Sequence, residues 1–317
     1  MFGLSYPVMS APMALHSGGT LAAAVSAAGG LGSFGGIHFS GDPAWIRSQV
    51  AIIHARTDRP FAVGFISDFI PSVEPLFEAT LAERPAVVAL SFGDPGPWIA
   101  RCKAAGARVM CQVQSYGHAD RAVEAGADML VAQGTEAGGH TGTMSLLPLL
   151  AGVAVRHADV PVLAAGGIGD GRTFAAALTA GADGAWLGTA FLATPEAVEV
   201  DDVHKRLIVE SDGADTVFTR AYDILSGFPW PAGIGERVRR NRFTDEWIDR
   251  EAELLERKSE VVEAQAAIGA EDPEAGAVLY GQSARFVSNV RPAADVVRSI
   301  SDEAESQLRS RPPSLLA

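Results

Sequence analysis

The chain has 317 residues, of which 48% are hydrophobic and 20% are charged, and its formal net charge is −13. This acidity argues against a nucleic-acid or anionic-membrane partner, and no apolar stretch approaches the roughly 18–20 residues of a membrane span. Cys102 and Cys111 are too few for a disulfide framework or a thiolate metal site. Histidines and carboxylates lack metal-ligand spacing and the N-terminus has no basic leader, so we predict a cytoplasmic protein without a bound metal.

Eight short apolar runs, each typical of a buried parallel strand, recur at the spacing of β/α units. They are Pro7–Ala11, Leu31–Phe34, Phe61–Ile66, Ala86–Ser91, Arg108–Val113, Asp128–Gln133, Pro161–Ala165 and Gly184–Gly188. Alanine-rich helical patterns lie between them, as in Thr20–Ala28, Ala119–Ala125 and Thr173–Ala180. This alternation predicts an α/β fold of the (β/α)₈ TIM-barrel type. A doubly wound open sheet is the alternative, because periodicity cannot show closure.

The composition changes after the eighth run, where charged residues become denser. We predict a barrel over residues 1–194, a mostly helical subdomain near the barrel mouth over 195–285, and a closing helix and tail over 286–317. Within the subdomain, Thr244–Ala267 is predicted to be one charged amphipathic helix. Pro292–Arg309 is predicted to be the helix that closes the barrel behind the eighth strand.

One imidazole stands in a glycine-rich loop just after the sixth predicted strand. His140 follows Gly138 and Gly139 there. Glycine allows the backbone to adopt positive φ and lets a ligand approach closely, and a histidine can give or take a proton near neutral pH. The sequence therefore predicts a catalytic histidine, whose loss should affect catalysis rather than folding. A solvent-exposed turn is the alternative. Glu136 is predicted either to orient the histidine or to cap a turn.

The seventh and eighth predicted strands both end in glycine turns, at Gly166-Gly167 and at Gly188-Thr189. Glycine turns after these two strands commonly form a phosphate site in such barrels, with backbone N–H groups directed into one pocket. Tight βα turns are the alternative explanation. No Walker lysine follows either turn, so nucleotide triphosphate hydrolysis is not predicted.

Four segments together resemble the nitronate monooxygenase family, whose members are FMN-binding (β/α)₈ barrels that oxidise alkyl nitronates with molecular oxygen. They are Ala11-Pro12-Met13, Gln133–His140, Ala165–Ile168 and Gly188-Thr189. The resemblance implies that the protein is an oxidoreductase with FMN as its cofactor. Its implied partners are a small-molecule substrate and O₂, and a homodimer is compatible with it.

The resemblance also implies a role for each matching residue. Ala11, Pro12 and Met13 would line one face of the flavin ring, and His140 would be the catalytic base or would bind the nitro group of the substrate. The remaining residues implied to bind the cofactor, from the ribityl chain to the phosphate, are Gln133, Gly138, Gly139, Gly166, Gly167, Gly188 and Thr189.

Two positions depart from the family pattern. Gly64 stands where the third strand often ends in asparagine, and Trp186 stands where the eighth strand usually offers glutamine. A polar contact with the flavin is therefore absent or comes from Gln112 or Ser91. Two other functions remain open: an FMN-dependent enoyl-acyl-carrier-protein reductase that uses NAD(P)H, and a flavin-free ligand-binding barrel.

Overall fold

Eight parallel strands form a closed barrel in the computed structural model, which describes residues 2–268 and 272–316. The barrel strands are β1 (Val8–Ser10), β2 (Gly32–Gly35), β3 (Phe61–Ile66), β4 (Val87–Ser91), β5 (Arg108–Val113), β6 (Met129–Gln133), β8 (Val162–Ala165) and β9 (Gly184–Leu187). Their hydrogen-bonded order is β1-β9-β8-β6-β5-β4-β3-β2. A parallel bridge between Met9 and Leu31 then joins the two ends. The predicted barrel is confirmed, and the open sheet is wrong.

Helices follow the strands and cover the outside of the barrel. The helices that connect the barrel strands are α1 (Gly19–Ala27), α2 (Pro43–His54), α3 (Glu74–Ala82), α4 (Gly96–Ala104), α5 (Tyr116–Glu124), α6 (Leu146–Arg156) and α7 (Gly171–Thr179). The short helix α8 (Thr189–Leu192) follows β9, and the final helix α14 (Ala293–Leu316) packs against α7 and α1. The final helix thus lies at the junction of the first and last strands, and it extends beyond its predicted end.

The strands read as continuous apolar runs because both of their faces are buried. In β4, Val87 and Ala89 point into the barrel, whereas Val88 and Leu90 pack under the helices. The interior is filled by Met9, Leu31, Ala62, Val87, Ala89, Met110, Met129, Val131, Ala165 and Trp186. The barrel is therefore a packed core, and space for a ligand exists only beyond the carboxyl ends of the strands.

A second, antiparallel sheet lies over the barrel mouth and was not predicted. It has the order β10-β11-β7, formed by β10 (Thr216–Thr219), β11 (Gly235–Arg239) and β7 (Gly139–Thr141). The histidine loop contributes β7, so that loop is an ordered strand rather than a free turn. Sequence periodicity missed this sheet because its strands are three to five residues long and pair across distant parts of the chain.

The prediction of one helix over Thr244–Ala267 is wrong. The segment forms α11 (Arg242–Trp247), α12 (Glu251–Glu256) and α13 (Lys258–Ile268). The chain turns at Asp249, which adopts a left-handed φ of 63°. Trp247, Leu254 and Val261, one from each of these helices, are buried in one small cluster with Ala221 and Phe243. The other helices of this region are α9 (Asp202–Glu210) and α10 (Ala221–Ser226).

Candidate functional site

A cavity of about 230 Å³, open to solvent, lies beyond the carboxyl ends of the barrel strands. This end of a (β/α)₈ barrel is where ligands and cofactors bind. With one exception, Gly167, every residue predicted to be catalytic or to bind the cofactor lies on its wall. These wall residues are Ala11, Pro12, Met13, Gln133, Gly138, Gly139, His140, Gly166, Gly188 and Thr189.

Gly167 is not among the wall residues, although Gly166 and Ile168 on either side of it are, and its cofactor-binding role stays a prediction. Its φ is 70°, and a Cβ at this position would lie 3.4 Å from the Cβ of Glu136. Gly166 also has a left-handed φ, 99°, and a Cβ there would approach the carbonyl oxygen of Gly134 to 2.9 Å. The tight βα turn by itself therefore explains both glycines.

Gly188 differs from these two glycines because the fold does not require it. Its φ is −105°, which any residue adopts. A Cβ there would lie 3.6 Å from the sulfur of Met13, an ordinary contact. The absence of a side chain therefore serves to leave space in the cavity, at the point where β9 ends.

Thr189 anchors a crossing segment at this end of the cavity. Its Oγ1 accepts a 2.9 Å hydrogen bond from the N–H of Gly281. The N–H of Gln282 in turn donates to the carbonyl oxygen of Glu136 over 3.0 Å. The backbone around Gly281 passes so close to Gly138 that a Cβ on either residue would lie within 2.6 Å of the other's backbone segment. The lack of side chains at Gly138 and Gly281 allows the histidine loop, the end of β9 and this segment to approach closely.

The two departures from the family pattern have packing explanations. A Cβ at Gly64 would lie 2.2 Å from Cγ of Pro12, so the proline ring occupies the space that a longer residue would need. Trp186 is 5% exposed, packs in the interior of the barrel and also lines the cavity. Ser91 and Gln112 both reach the wall, where the serine Oγ donates a 3.1 Å hydrogen bond to the Oε1 of the glutamine.

The backbone of His140 is fixed by two sets of hydrogen bonds. β7 pairs with β11 so that His140 lies opposite Glu236. From the barrel side, the side-chain amide of Gln133 donates to the carbonyl oxygen of His140 over 2.9 Å. The side-chain amide of Gln114 donates to Oε1 of Gln133 over 3.0 Å. Gln133 therefore holds the histidine in place as well as lining the cavity.

The imidazole of His140 has a carboxylate partner that sequence reasoning missed. Its Nε2 lies 2.8 Å from Oδ1 of Asp223, which stands 83 residues further along the chain in α10. The aspartate is 7% exposed, and its Oδ2 has no hydrogen-bond partner among residues 2–268 and 272–316. Glu136 instead accepts from the backbone N–H of Leu146 and caps α6, which decides between its two predicted roles. The only local signal was an aspartate within the otherwise apolar helix α10.

A second carboxyl group lies behind the first. Glu236 is 4% exposed, and its Oε1 also lacks a partner within the described part of the chain. Burial, with a further contribution from the charge of Asp223, raises the pKa of Glu236 to about 8. Glu236 is therefore mostly a neutral acid near pH 7.

Aromatic rings cover the other side of the imidazole. The indole of Trp230 stacks on His140 with ring centres 3.6 Å apart, and Phe92 meets that indole edge to face at 5.2 Å. Both Trp230 and Phe92 line the cavity. Of the other histidines, His16 reaches the wall with its Nδ1 bonded to the carbonyl oxygen of Ala14, whereas His38 stacks on Trp45 outside it.

Known proteins resemble this chain over nearly its whole length. A family model for nitronate monooxygenase matches residues 1–76 and 74–303. The chain belongs to the nitronate monooxygenase family. It is 35% identical over 333 residues to nitronate monooxygenase npaC of Metarhizium robertsii, covering 96% of this chain and 92% of the relative.

Two solved structures show the same architecture. FabK from Thermotoga maritima superposes with a TM-score of 0.85 and 32% identity, covering 99% of this chain and 97% of FabK. Nitroalkane oxidase from Streptomyces ansochromogenes superposes with a TM-score of 0.77 and 30% identity, covering 98% of each chain. Members of the nitronate monooxygenase family are flavin-dependent oxidoreductases, and the chain is accordingly an enzyme of this kind.

Neither a metal site nor a membrane span is found where the structure can be described. Over residues 2–268 and 272–316, no three His, Cys, Asp or Glu side chains cluster as ligands would. In the same two ranges, no helix combines the length and the apolar character that crossing a bilayer requires.

Proposed function

We propose that this nitronate monooxygenase family member oxidises alkyl nitronates with O₂ to a carbonyl compound and nitrite, using FMN. The observation that carries the proposal is the position of His140, on the wall of the cavity at the barrel mouth and directly bonded to a buried carboxylate. A histidine held in this way can carry a proton or a positive charge beside an anionic substrate.

The residues at the wall fit FMN. Pro12 and Met13 offer an apolar surface for one face of the flavin, with Ala11 beside them. At the other end, Gly188 leaves space, and Thr189 keeps its own O–H for donation because its oxygen accepts from Gly281. This end therefore suits the phosphate. When bound, FMN would supply the acceptor for electrons from the substrate.

His140 acts in one of two ways, depending on the form of the substrate. With a preformed nitronate, an imidazolium balances the negative charge that enters a low-dielectric cavity. With a neutral nitroalkane, a neutral imidazole removes the proton from the carbon next to the nitro group. Because Nε2 is engaged by Asp223, the atom left to take that proton is Nδ1.

A second candidate function is an FMN-dependent enoyl-acyl-carrier-protein reductase that uses NAD(P)H. The aromatic wall formed by Phe92 and Trp230 favours an apolar substrate and could equally contact an acyl chain. The wall contains no arginine or lysine side chain to contact the phosphates of a nicotinamide dinucleotide. The similarity of the chain to nitronate monooxygenases over nearly its whole length is the main reason to prefer nitronate oxidation.

Anaerobic stopped-flow absorbance distinguishes these functions. The flavoprotein is mixed separately with an alkyl nitronate and with NADPH, and the loss of the oxidised flavin spectrum is followed. Rapid change with the nitronate alone supports the proposal, whereas rapid reduction by NADPH with turnover of an enoyl thioester supports the reductase. Failure of FMN-supplemented protein to acquire a flavin spectrum would leave a flavin-free ligand-binding barrel.

A further inference from the structure

A pair of buried carboxyl groups lies behind His140, outside the cavity. Asp223 bonds to the imidazole, and neither Asp223 nor Glu236 lines the cavity wall. Both side chains are more than nine-tenths buried, and each has one oxygen without a partner in the described ranges. Because Glu236 lies opposite His140 across the β7–β11 ladder, the two side chains are on the same face of the small sheet.

Among the described residues, no arginine or lysine forms an ion pair with Asp223 or Glu236, although the side chain of Arg220 packs beside Gly235. Arg237, next to Glu236, points to the opposite face of the strand, where its Nε donates to the carbonyl oxygen of Thr135. The groups that face Glu236 are Asp223 and Tyr222 of α10 and His140 of β7. Two ionised carboxylates in this environment would repel each other without compensation, so the pair retains one proton.

We propose that Asp223 is the positioning residue of His140 and that Glu236 stays protonated, so that Asp223 is the single anion of the cluster. A carboxylate can only accept hydrogen bonds, so Asp223 holds a hydrogen on Nε2 and leaves Nδ1 as the basic atom. This inference rests on the proposed function only for its kinetic consequence. The tautomer itself is independent of the substrate.

The step that this arrangement supports is a proton transfer from the substrate to His140, with no other reactant. The C–H bond next to the nitro group breaks, its proton forms an N–H bond at Nδ1, and its electron pair is delocalised onto the nitro group as the nitronate. The imidazolium that results is stabilised by Asp223, which keeps its negative charge throughout.

The tautomer is tested by ¹⁵N NMR of flavin-loaded enzyme labelled at histidine, with the His140 signals assigned by their absence in His140→Gln. We expect a protonated Nε2 and an unprotonated Nδ1 in the neutral ring. Asp223→Asn and Asp223→Ala should give mixed tautomers. His204 is the internal control, because its Nε2 bonds to the carbonyl oxygen of Leu279 and should keep its signals in every variant.

The kinetic readout is kcat/KM with a neutral nitroalkane and with its nitronate. Asp223→Asn should lower the value for the nitroalkane by about 10²–10⁴-fold and the value for the nitronate by less. Glu236→Gln keeps a neutral side chain and should preserve both the tautomer and the rates.

Several outcomes would overturn the proposal. One is an unchanged His140 tautomer in Asp223→Ala, and another is a wild-type ring that carries its proton on Nδ1. A fall in kcat/KM in Glu236→Gln as large as that in Asp223→Asn would show that Glu236 acts as an anion. If the wild type oxidises neither substrate, the proposed function fails, whereas the NMR result still decides the role of Asp223.

Discussion

The indole of Trp230 lies nearly parallel to the imidazole of His140, with an interplanar angle of 17° and ring centres 3.6 Å apart. This contact closes one face of the imidazole, so a substrate can reach the ring only from its other face or its nitrogen edge. The negative face of an indole also stabilises a neighbouring cation by about 0.5–2 kcal/mol. Trp230 therefore restricts access to the imidazole, and its indole can stabilise positive charge that develops there during turnover.

Replacement of Trp230 by alanine should slow turnover without unfolding the protein. We expect kcat/KM for an alkyl nitronate to fall about 2- to 30-fold, which corresponds to the loss of about 0.5–2 kcal/mol of cation–π stabilisation. Trp230→Phe should retain part of the rate. Phe228→Ala is the matched control, since Phe228 is in the same segment but is 55% exposed and absent from the cavity wall. Equal losses in the control would indicate a general effect on the segment.

Loss of His140 should affect both catalysis and stability. His140→Ala should lower kcat/KM by about 10²–10⁴-fold for a neutral nitroalkane and by less for a nitronate. It should also cost about 1–3 kcal/mol of unfolding free energy, because Asp223 is then left buried without its partner. The sequence alone suggested little effect on folding, since it did not reveal this contact.

Denaturant unfolding of His140→Ala and of the double variant His140→Ala/Asp223→Asn checks the stability effect. The second substitution should recover part of the loss, because it removes the buried charge. Identical unfolding free energies for the wild type and His140→Ala would contradict the expected role of the hydrogen bond between His140 and Asp223.

Gly188 should control occupancy of the cavity by FMN. Gly188→Leu should greatly reduce FMN bound per chain, because its side chain extends into the space near Met13. Gly188→Ala should bind normally, since its Cβ makes only an ordinary contact. Gly166→Ala provides the contrast: its left-handed φ should make that variant less stable. Flavin absorbance after gel filtration measures FMN occupancy, and thermal unfolding measures stability. Full FMN occupancy in Gly188→Leu would show that the phosphate binds elsewhere.

The protein should lose stability as the pH rises towards 8, through Glu236. Its pKa is about 8 in the folded chain against an ordinary 4.5, so between these values the folded state holds a proton that the unfolded state has released. The contribution of Glu236 to the free energy of unfolding is fully present below pH 4.5. It declines by up to about 1.4 kcal/mol per pH unit above that value and is lost above pH 8. Glu236→Gln should have a flatter profile in denaturant titrations from pH 5 to 9. Parallel profiles for the two proteins would show that Glu236 titrates normally.

The individual β/α units could be predicted from the local sequence. The run Phe61–Ile66 coincides with its strand, because a strand buried on both faces must be apolar nearly throughout. Closure of the barrel was not readable in the same way. It depends on the bridge between Met9 and Leu31, which forms only when the accumulated twist of the sheet brings the first two strands together.

The candidate site was likewise predictable only in part. The glycine turns and His140 could be predicted because the residues that mark them are adjacent in the sequence, at strand ends. Asp223, Glu236 and Trp230 were not recognisable, since nothing beside them in the sequence marks them as neighbours of an imidazole. Pairing of β7 with β11 brings Glu236 to the histidine, and the packing of the subdomain over the mouth adds Asp223 and Trp230.

The sequence by itself determined the barrel strands, the glycine turns and the presence of His140 at the cavity. Local periodicity and backbone freedom specify those features, and both are properties of adjacent residues. Only the tertiary structure decided the surroundings of that histidine. Burial and charge depend on which distant groups pack together, so the carboxylate behind the imidazole and the indole over it emerge only when the chain is folded.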